Sequence, residues 1–369
     1  MGLLLAVAAT LIFSGTAMAE DAMASHNAGF SLATPDGRFS LRLYGYGQMR
    51  FTLTDRDGGT NQSNFAVQRA RLGLTGNAFD PRLAYTLYLN VYSGKADADV
   101  ALFDLYADYT PSGRPGIKVG QYKVPYGVQW NISAASLQFV ERTTVDGNFR
   151  LDRDTGVSVH GLVRAGLRYD LGVFNGEGTN QSSPDTGHLW VARLMASPLG
   201  QYALAESDPG NSAEPRLLLA LGGAFNDNVA SHSRGNLDGR LTVLGKSDVT
   251  SLNAFAGFRW RGATAQVEMH HRRIDPVNSA NVPETAVGLV AQGGFFIVPG
   301  RLELAARYEY FDPNRDASGD LVREGGLGIG RFWAGHRHKV QADLFRVSTQ
   351  SAGVTAEDNR LRVQYQLRF

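Results

Sequence analysis

The stretch Arg360-Leu361-Arg362-Val363-Gln364-Tyr365-Gln366-Leu367-Arg368-Phe369 alternates without a break. Leu361, Val363, Tyr365, Leu367 and Phe369 fall on one side of an extended chain, and Arg360, Arg362, Gln364, Gln366 and Arg368 on the other. Side chains of a β-strand alternate with period two, so this is a strand with one wholly apolar face and one polar or cationic face. A strand of a soluble sandwich can show the same pattern, so the surrounding chain has to decide between the two environments.

The chain ends on the aromatic Phe369 with no polar tail. A last strand ending in Phe resembles the carboxy-terminal signal by which barrel-assembly machinery recognises outer-membrane proteins. On that reading the strand pairs with the first and closes a barrel, because hydrocarbon tolerates no open sheet edge. The outer face would then meet outer-membrane lipid.

Composition agrees. The mean hydropathy of the 369 residues is −0.20. No apolar run approaches the roughly eighteen residues that a spanning helix needs, which excludes a helical membrane protein. A barrel survives this test, since only every second strand residue need be apolar. Forty-three glycines and 10% aromatic residues suit closely paired strands and interfacial girdles. Absence of cysteine is compatible with export. A net charge of +1 points to no charged macromolecule, nucleic acid included.

Gly2 to Phe13 form an apolar core followed by Ser14, Gly15 and Ala17-Met18-Ala19, the pattern of a secretory h-region with a cleavage site before Glu20. No Lys or Arg precedes this core, which departs from an ordinary n-region. The organisation expected is a signal peptide over 1–19, a short periplasmic lead-in over 20–37 and a transmembrane antiparallel β-barrel over 38–369.

Alternating runs recur through the rest of the chain. They cover Phe39–Thr54, Phe65–Ala78, Arg82–Tyr92, Val100–Thr110, Gly116–Lys123, Asp154–Arg164, Gly166–Asn175 and His188–Ser197. They continue over Pro215–Asp227, Asp248–Trp260, Ala263–Ile274, Thr285–Val298, Gly300–Phe311, Gly325–Ala334, His336–Val347 and Glu357–Phe369, sixteen in all. Most are near or above the nine to eleven residues of a tilted spanning strand. Connections after even runs are mostly tight, such as Phe79-Asp80-Pro81, Arg261-Gly262 and Pro299, whereas those after odd runs are longer. Short periplasmic turns and longer external loops alternate this way in outer-membrane barrels. Pro198–Glu214 breaks the rule, being long where a short turn is due. Tyr85, Tyr109, Tyr169 and Trp260 stand on the apolar face near the short-turn ends, where amphipathic rings suit the headgroup region.

The polar faces then line a lumen. They carry Arg42, Arg50, Arg69, Arg71, Lys118, Arg168, Arg259, Arg272, Arg307, Arg360, Arg362 and Arg368, against Asp104, Asp108, Asp170, Glu268, Glu303, Glu309 and Asp343. Twelve cations against seven acids favour anions. Neighbouring pairs such as Arg69–Asp104 and Arg307–Glu309 offer the competing role of mutual neutralisation.

The segment from Val124 to Arg153 is too long and too apolar to remain a solvated loop. It is expected to fold inward as a constriction, with Trp130, Ile132, Leu137, Phe139 and Val140 packed on the wall. Pro125 ends strand pairing and Gly127 allows a sharp bend. Lys123, Arg142, Arg150 and Arg153 place positive charge at its root, middle and end, with Glu141, Asp146, Asp152 and Asp154 as counter-charges. The pore-lining residues expected to meet solute are thus Arg50, Arg69, Arg71, Lys123, Arg142, Arg150, Arg153, Arg259, Arg272 and Arg307.

An ordered set of segments resembles the phosphate-selective porin O and P family. Phe65-Ala66-Val67-Gln68-Arg69-Ala70-Arg71-Leu72 is similar to its second-strand signature. Gly120-Gln121-Tyr122-Lys123-Val124-Pro125-Tyr126-Gly127 is similar to its run after strand five. Leu102–Tyr109, Phe139–Thr143, Arg153–Val157, Leu171–Gly176 and Leu302–Tyr310 follow in the family's order. The resemblance implies a sixteen-stranded porin of the outer membrane of a Gram-negative-type bacterium. It further implies a homotrimer that passes small anions such as phosphate or polyphosphate, and no cofactor.

Other motifs carry less. Gly326, Gly328 and Gly330 lie within a strand with no helix after them, His270 and His271 point to opposite faces, and Ser158 and His160 lack a nucleophile-elbow context. A barrel enzyme would need a Ser/His/acid cluster at the rim, and an adhesin would need longer external loops. On this reading the mature chain begins near Glu20. Mass spectrometry of the native protein is expected to show loss of Met1 to Ala19, and retention of that segment would contradict the cleavage site.

Overall fold

Alternation in sequence becomes an antiparallel ladder in space. The computed structural model describes residues 23–25, 30–92, 100–182, 186–230, 236–278 and 280–369. The expected signal peptide lies outside these residues. A short hairpin comes first, β1 (Met23–Ser25) and β2 (Phe30–Ala33). The barrel strands follow: β3 (Ser40–Asp55), β4 (Gln62–Ala78), β5 (Asp80–Tyr92), β6 (Ala101–Tyr109), β7 (Gly116–Lys123), β8 (Arg153–Arg164), β9 (Leu167–Phe174) and β10 (Leu189–Ala196). They continue with β11 (Arg216–Val229), β12 (Ser247–Trp260), β13 (Ala263–Pro276), β14 (Glu284–Val298), β15 (Leu302–Asp312), β16 (Val322–Phe332), β17 (His338–Ser351) and β18 (Val354–Arg368).

Each strand from β3 to β18 pairs with its sequence neighbours, and β18 returns to β3, so sixteen strands close a barrel. Every alternating run of the sequence has its counterpart. Closure sets Gln364 opposite Arg50 and Arg368 opposite Tyr46. At the end of the seam the Phe369 amide donates to the Gly45 carbonyl at 3.0 Å and the Gly45 amide to the Phe369 carbonyl at 3.2 Å. Below that point β2 continues the edge, with Phe30 opposite Leu43. Leu361, Val363, Leu367 and their counterparts face outward, while Arg362, Gln364 and Gln366 are buried inside.

One strand keeps this division only by a defect. In β4, Phe65 and Val67 are exposed on the lipid face, yet Arg69 and Arg71, in the same phase by simple alternation, face the lumen. Opposite them, Gln48 pairs with Arg69 and the next residue, Met49, with Val67, which leaves Gln68 as an extra residue. Such a bulge reverses the facing of everything beyond it.

The lumen is filled. Val124 to Asp152 enters it, with the helices α1 (Val128–Asn131) and α2 (Thr144–Phe149) and a 3-10 turn at Ala134–Ser136 between them. From the outer side comes α3 (Asn236–Leu244), whose Leu237, Leu241 and Leu244 pack on Val229, Val249 and Ile274. From the periplasmic side comes the exceptional connection, 198–214. Its Glu206, Ser207 and Asp208 are buried against the inward segment and the wall.

Glycines make the seats for the inward segment. Phe149 stacks on His270 at 5.1 Å and meets Phe311 edge-on at 5.7 Å, and Gly288 stands between those two in the ladder. A Cβ on Gly288 would come within 2.6 Å of Val145 and 2.7 Å of the Phe149 ring. Overpacking of this kind costs about 1–3 kcal/mol. Gly288→Val is therefore expected to lower the temperature at which the folded band is lost on unboiled gels, whereas an equal change at the lipid-facing Leu289 leaves it unchanged.

Candidate functional site

The inward segment is bound at both ends and along its length. The Val124 amide donates to the Asp152 carbonyl at 3.0 Å, so its two ends stay joined just past the β7–β8 ladder. Pairing does end at Pro125, as its missing N–H requires. Gly127 acts differently from the expectation. Its φ is −72°, open to any residue, and what it supplies is clearance, since a Cβ would lie 3.2 Å from Glu268.

A chain that is mostly not helix or strand must satisfy its backbone elsewhere. The wall does this with charged groups. Glu268 accepts the amides of Val128 and Gln129 at 2.8 and 3.0 Å, the orphan donors at the start of α1. Asp343 accepts from the Val140 amide at 3.0 Å, and Glu303 from the Gln138 side chain at 2.7 Å. In the other direction Arg50 donates to the Val140 carbonyl, Arg307 to Glu141, Arg272 to Asn148 and Lys339 to Leu137, over 2.6–3.0 Å.

Packing completes the anchorage. Ile132, Ala134 and Leu137 lie on Tyr46, Tyr88 and Phe103, and Phe139 meets Phe345 at 5.5 Å. Val140 is buried as expected. Trp130 is not a wall anchor of this kind.

Instead, Trp130 is the hub of a basic cluster. Lys123 Nζ lies 4.7 Å from its ring centre, and the guanidinium carbons of Arg142, Arg150 and Arg153 at 5.0, 4.5 and 5.5 Å. Cations over an indole face are attracted by its quadrupole. Its Nε1 donates to the Asp152 carbonyl at 2.9 Å, which fixes the ring. Arg69 and Arg71 approach from β4. These six cations, with Phe103, Trp130 and Ala134, line a cavity of about 80 Å³.

Counter-charges stand around this cavity. Glu141 bridges Arg69 at 2.6 Å and Arg50 at 2.9 Å, and Asp104 meets Arg153 at 2.7 Å. Asp146 lies 3.7 Å from Arg150, and Asp152 3.8 Å from Arg150 and Arg153. Burial opposes the Glu141 charge, but Arg69 and Arg50 outweigh it and hold the carboxyl well below its ordinary 4.5. Burial pushes Asp146 up from 3.8 despite Arg142 and Arg150. With Arg50 included, seven basic side chains face four carboxyl groups. Asp154 takes no part, since it accepts the amides of Thr155 and Gly176.

The cations differ in how far they are engaged. Lys123 donates to the carbonyls of Trp130 and Ile132, and Arg142 to those of Gln129 and Ile132. Arg71 and Arg150 each keep a buried Nε–H with no hydrogen-bond partner among the described residues.

Of the residues singled out in the sequence, Arg69, Arg71, Lys123, Arg142, Arg150 and Arg153 therefore come together, and Arg50 stands behind Glu141. Arg259, Arg272 and Arg307 lie elsewhere. Arg259 donates to the Ala205 carbonyl and covers the Tyr202 ring at 4.6 Å, Arg272 covers Phe149 at 5.1 Å, and Arg307 pairs with Glu309 at 2.9 Å. The Arg307–Glu309 pair forms as anticipated. The Arg69–Asp104 pair does not, because Glu141 takes Arg69 and Arg153 takes Asp104. Two elements went unread in the sequence. Leu237, Leu241 and Leu244 keep the spacing of a helix face and could have revealed α3. The turn bearing Glu206 shows only its unusual length.

Comparison with known proteins follows the same line. A curated "Uncharacterized protein" of Aquifex aeolicus is 24% identical over 318 residues, covering 76% of this chain and 74% of its own. The anion-selective porin from Comamonas acidovorans superposes with a TM-score of 0.61 at 13% identity, over 89% of this chain and 100% of that one. The outer membrane channel DcaP of Acinetobacter baumannii gives 0.61 at 11% identity, over 93% of this chain and 100% of that one. At such identities the two structures speak for the fold alone. The family pattern described as phosphate-selective porin O and P, however, matches residues 40–369, nearly the whole barrel. A closed barrel with a lipid-facing apolar exterior, an inward segment and this match together make the chain an outer-membrane porin that belongs to the phosphate-selective porin O and P family.

Proposed function

We propose that this porin passes small anions by passive diffusion, with phosphate-like oxyanions the preferred class and the Trp130 cavity the narrow point. The observation that carries the reading is the set of six basic side chains around one cavity of about 80 Å³, two of them with a buried Nε–H that has no hydrogen-bond partner among the described residues. Guanidinium groups present paired donors that match oxyanion geometry. At about 4 Å one uncompensated charge attracts an anion by roughly 4 kcal/mol in a surface-like dielectric, against roughly 1 in water. Dehydration of the anion costs several kcal/mol and opposes this attraction. The balance is weak, reversible binding, which conduction requires.

Arg71 and Arg150 are the proposed solute contacts. Arg50 and Arg69, held by Glu141, set the local potential, while Lys123, Arg142 and Arg153 add charge as they hold the segment. Arg259, Arg272 and Arg307 act on conduction through the parts that they anchor. The working assembly in this reading is a homotrimer in outer-membrane lipid, delivered by the barrel-assembly machinery.

Catalysis has no part in the proposal. His160 meets Asp108 at 2.8 Å and Ser158 accepts from the Tyr122 hydroxyl at 2.7 Å, while no hydrogen bond joins Ser158 to His160 among the described residues. An adhesin is disfavoured by outer connections such as the tight turn at Ala352-Gly353, where both residues have positive φ.

Reversal potentials of the purified protein in planar bilayers under a KCl gradient test the reading. Anion preference is expected, and a cation-selective pore would sink it. Arg71→Gln with Arg150→Gln is expected to weaken block by inorganic phosphate about tenfold, or 1.4 kcal/mol. Leu43→Ala, on the lipid face, should leave block unchanged.

A further inference from the structure

The long periplasmic connection reaches the constriction from below. Glu206, 2% exposed, places one carboxylate oxygen 2.8 Å from the Gln138 amide and the other 3.2 Å from the Gln129 side-chain nitrogen. Its own amide donates to the Ser136 carbonyl at 3.0 Å. Three contacts thus join one residue of the turn to the 3-10 turn and to α1 of the inward segment. Next to it the Ser207 hydroxyl donates to Glu303, the carboxylate that also holds the Gln138 side chain.

Gln129 is the link onward. Its carbonyl accepts Arg142 Nη1 at 2.7 Å, and its side-chain oxygen accepts the Thr143 hydroxyl that begins α2. A carboxylate on the periplasmic turn is therefore two contacts from a cation of the cavity. The turn is itself fixed to the barrel. Asp208 accepts the Ser212 and Gly262 amides at 2.8 and 3.0 Å, and Arg259 holds the Ala205 carbonyl.

We infer that Glu206 is a positioning residue of the constriction. Acting through Gln129 and Gln138, it makes the periplasmic turn 198–214 the second jaw that fixes where the basic cluster stands. The long turn is the price of reaching mid-lumen from the periplasmic end. Its role goes beyond the anion reading and rests on it only for the identity of the ion that feels the change.

Full-length protein in planar bilayers tests this, with Glu206→Ala and Gln129→Ala made singly and together. Glu206→Ala is expected to raise open-channel current noise in KCl and to weaken block by inorganic phosphate about tenfold. Because the two residues share one contact, the double variant should lose less than the sum of the two single variants. Glu214→Ala, in the same turn but largely exposed and paired with Arg216, should behave as wild type. If Glu206→Ala does not reach the folded, heat-modifiable form, Glu206→Gln carries the test. It keeps an acceptor for the Gln138 amide but sets a donor against Gln129, and raised noise is again expected. Wild-type noise in the variant that folds, or additive losses in the double variant, overturns the inference. The noise in KCl does not depend on which ion is preferred, so a cation-selective wild-type pore would sink the anion reading and leave this one standing.

Discussion

Irregular backbone cannot stand at membrane depth unless every peptide group finds a partner. That constraint governs this barrel. Its interior holds a segment that is neither strand nor regular helix over most of its length and whose residues are mostly buried. The wall answers with acidic and basic side chains, carboxyl groups for the amides and arginines or lysine for the carbonyls. An ionised partner gives a stronger hydrogen bond than a neutral one, and its own burial is relieved by the bond it makes. Charges on the lumen face are thus first a means of folding the constriction.

Charge counted along strands and charge felt by a solute are consequently different quantities. Arg272 and Arg307 raise the count on the polar faces, yet their guanidinium groups are turned to carbonyls of the segment. Glu268 and Asp343 lower it, yet they are engaged with amides. On the proposed function, what a passing ion meets is the local residue of this exchange, the basic cluster about Trp130. Glu141 is central to that local balance, since it binds a cation from each of two adjacent strands.

The strands were legible because lipid and lumen impose opposite chemistries on alternate residues. All sixteen runs survive with ends shifted by a few residues, and the terminal stretch seals the barrel as its pattern implies. Inward folding of the segment was legible as well, from too many large apolar residues in one connection. The reversal at Gln68 was not, since a bulge shows only when both partner strands are known. Nor was the destination of the periplasmic turn, because a buried Glu206 reads in sequence like any solvated acid. The set of candidate arginines came out mixed for a similar reason. Alternation tells which face a residue occupies in an unbroken strand and says nothing of which of its neighbours will claim it.

The chain has four tryptophans, and their distribution gives the protein an optical asymmetry. Trp190, Trp260 and Trp333 lie outward and half-exposed. Trp130 alone looks into the interior, ringed by cations. Brominated lipids silence the emission of outward indoles by contact and leave an enclosed one bright. Light remaining in such membranes comes from the basic cavity around Trp130, so the native protein carries a built-in fluorophore at the proposed constriction.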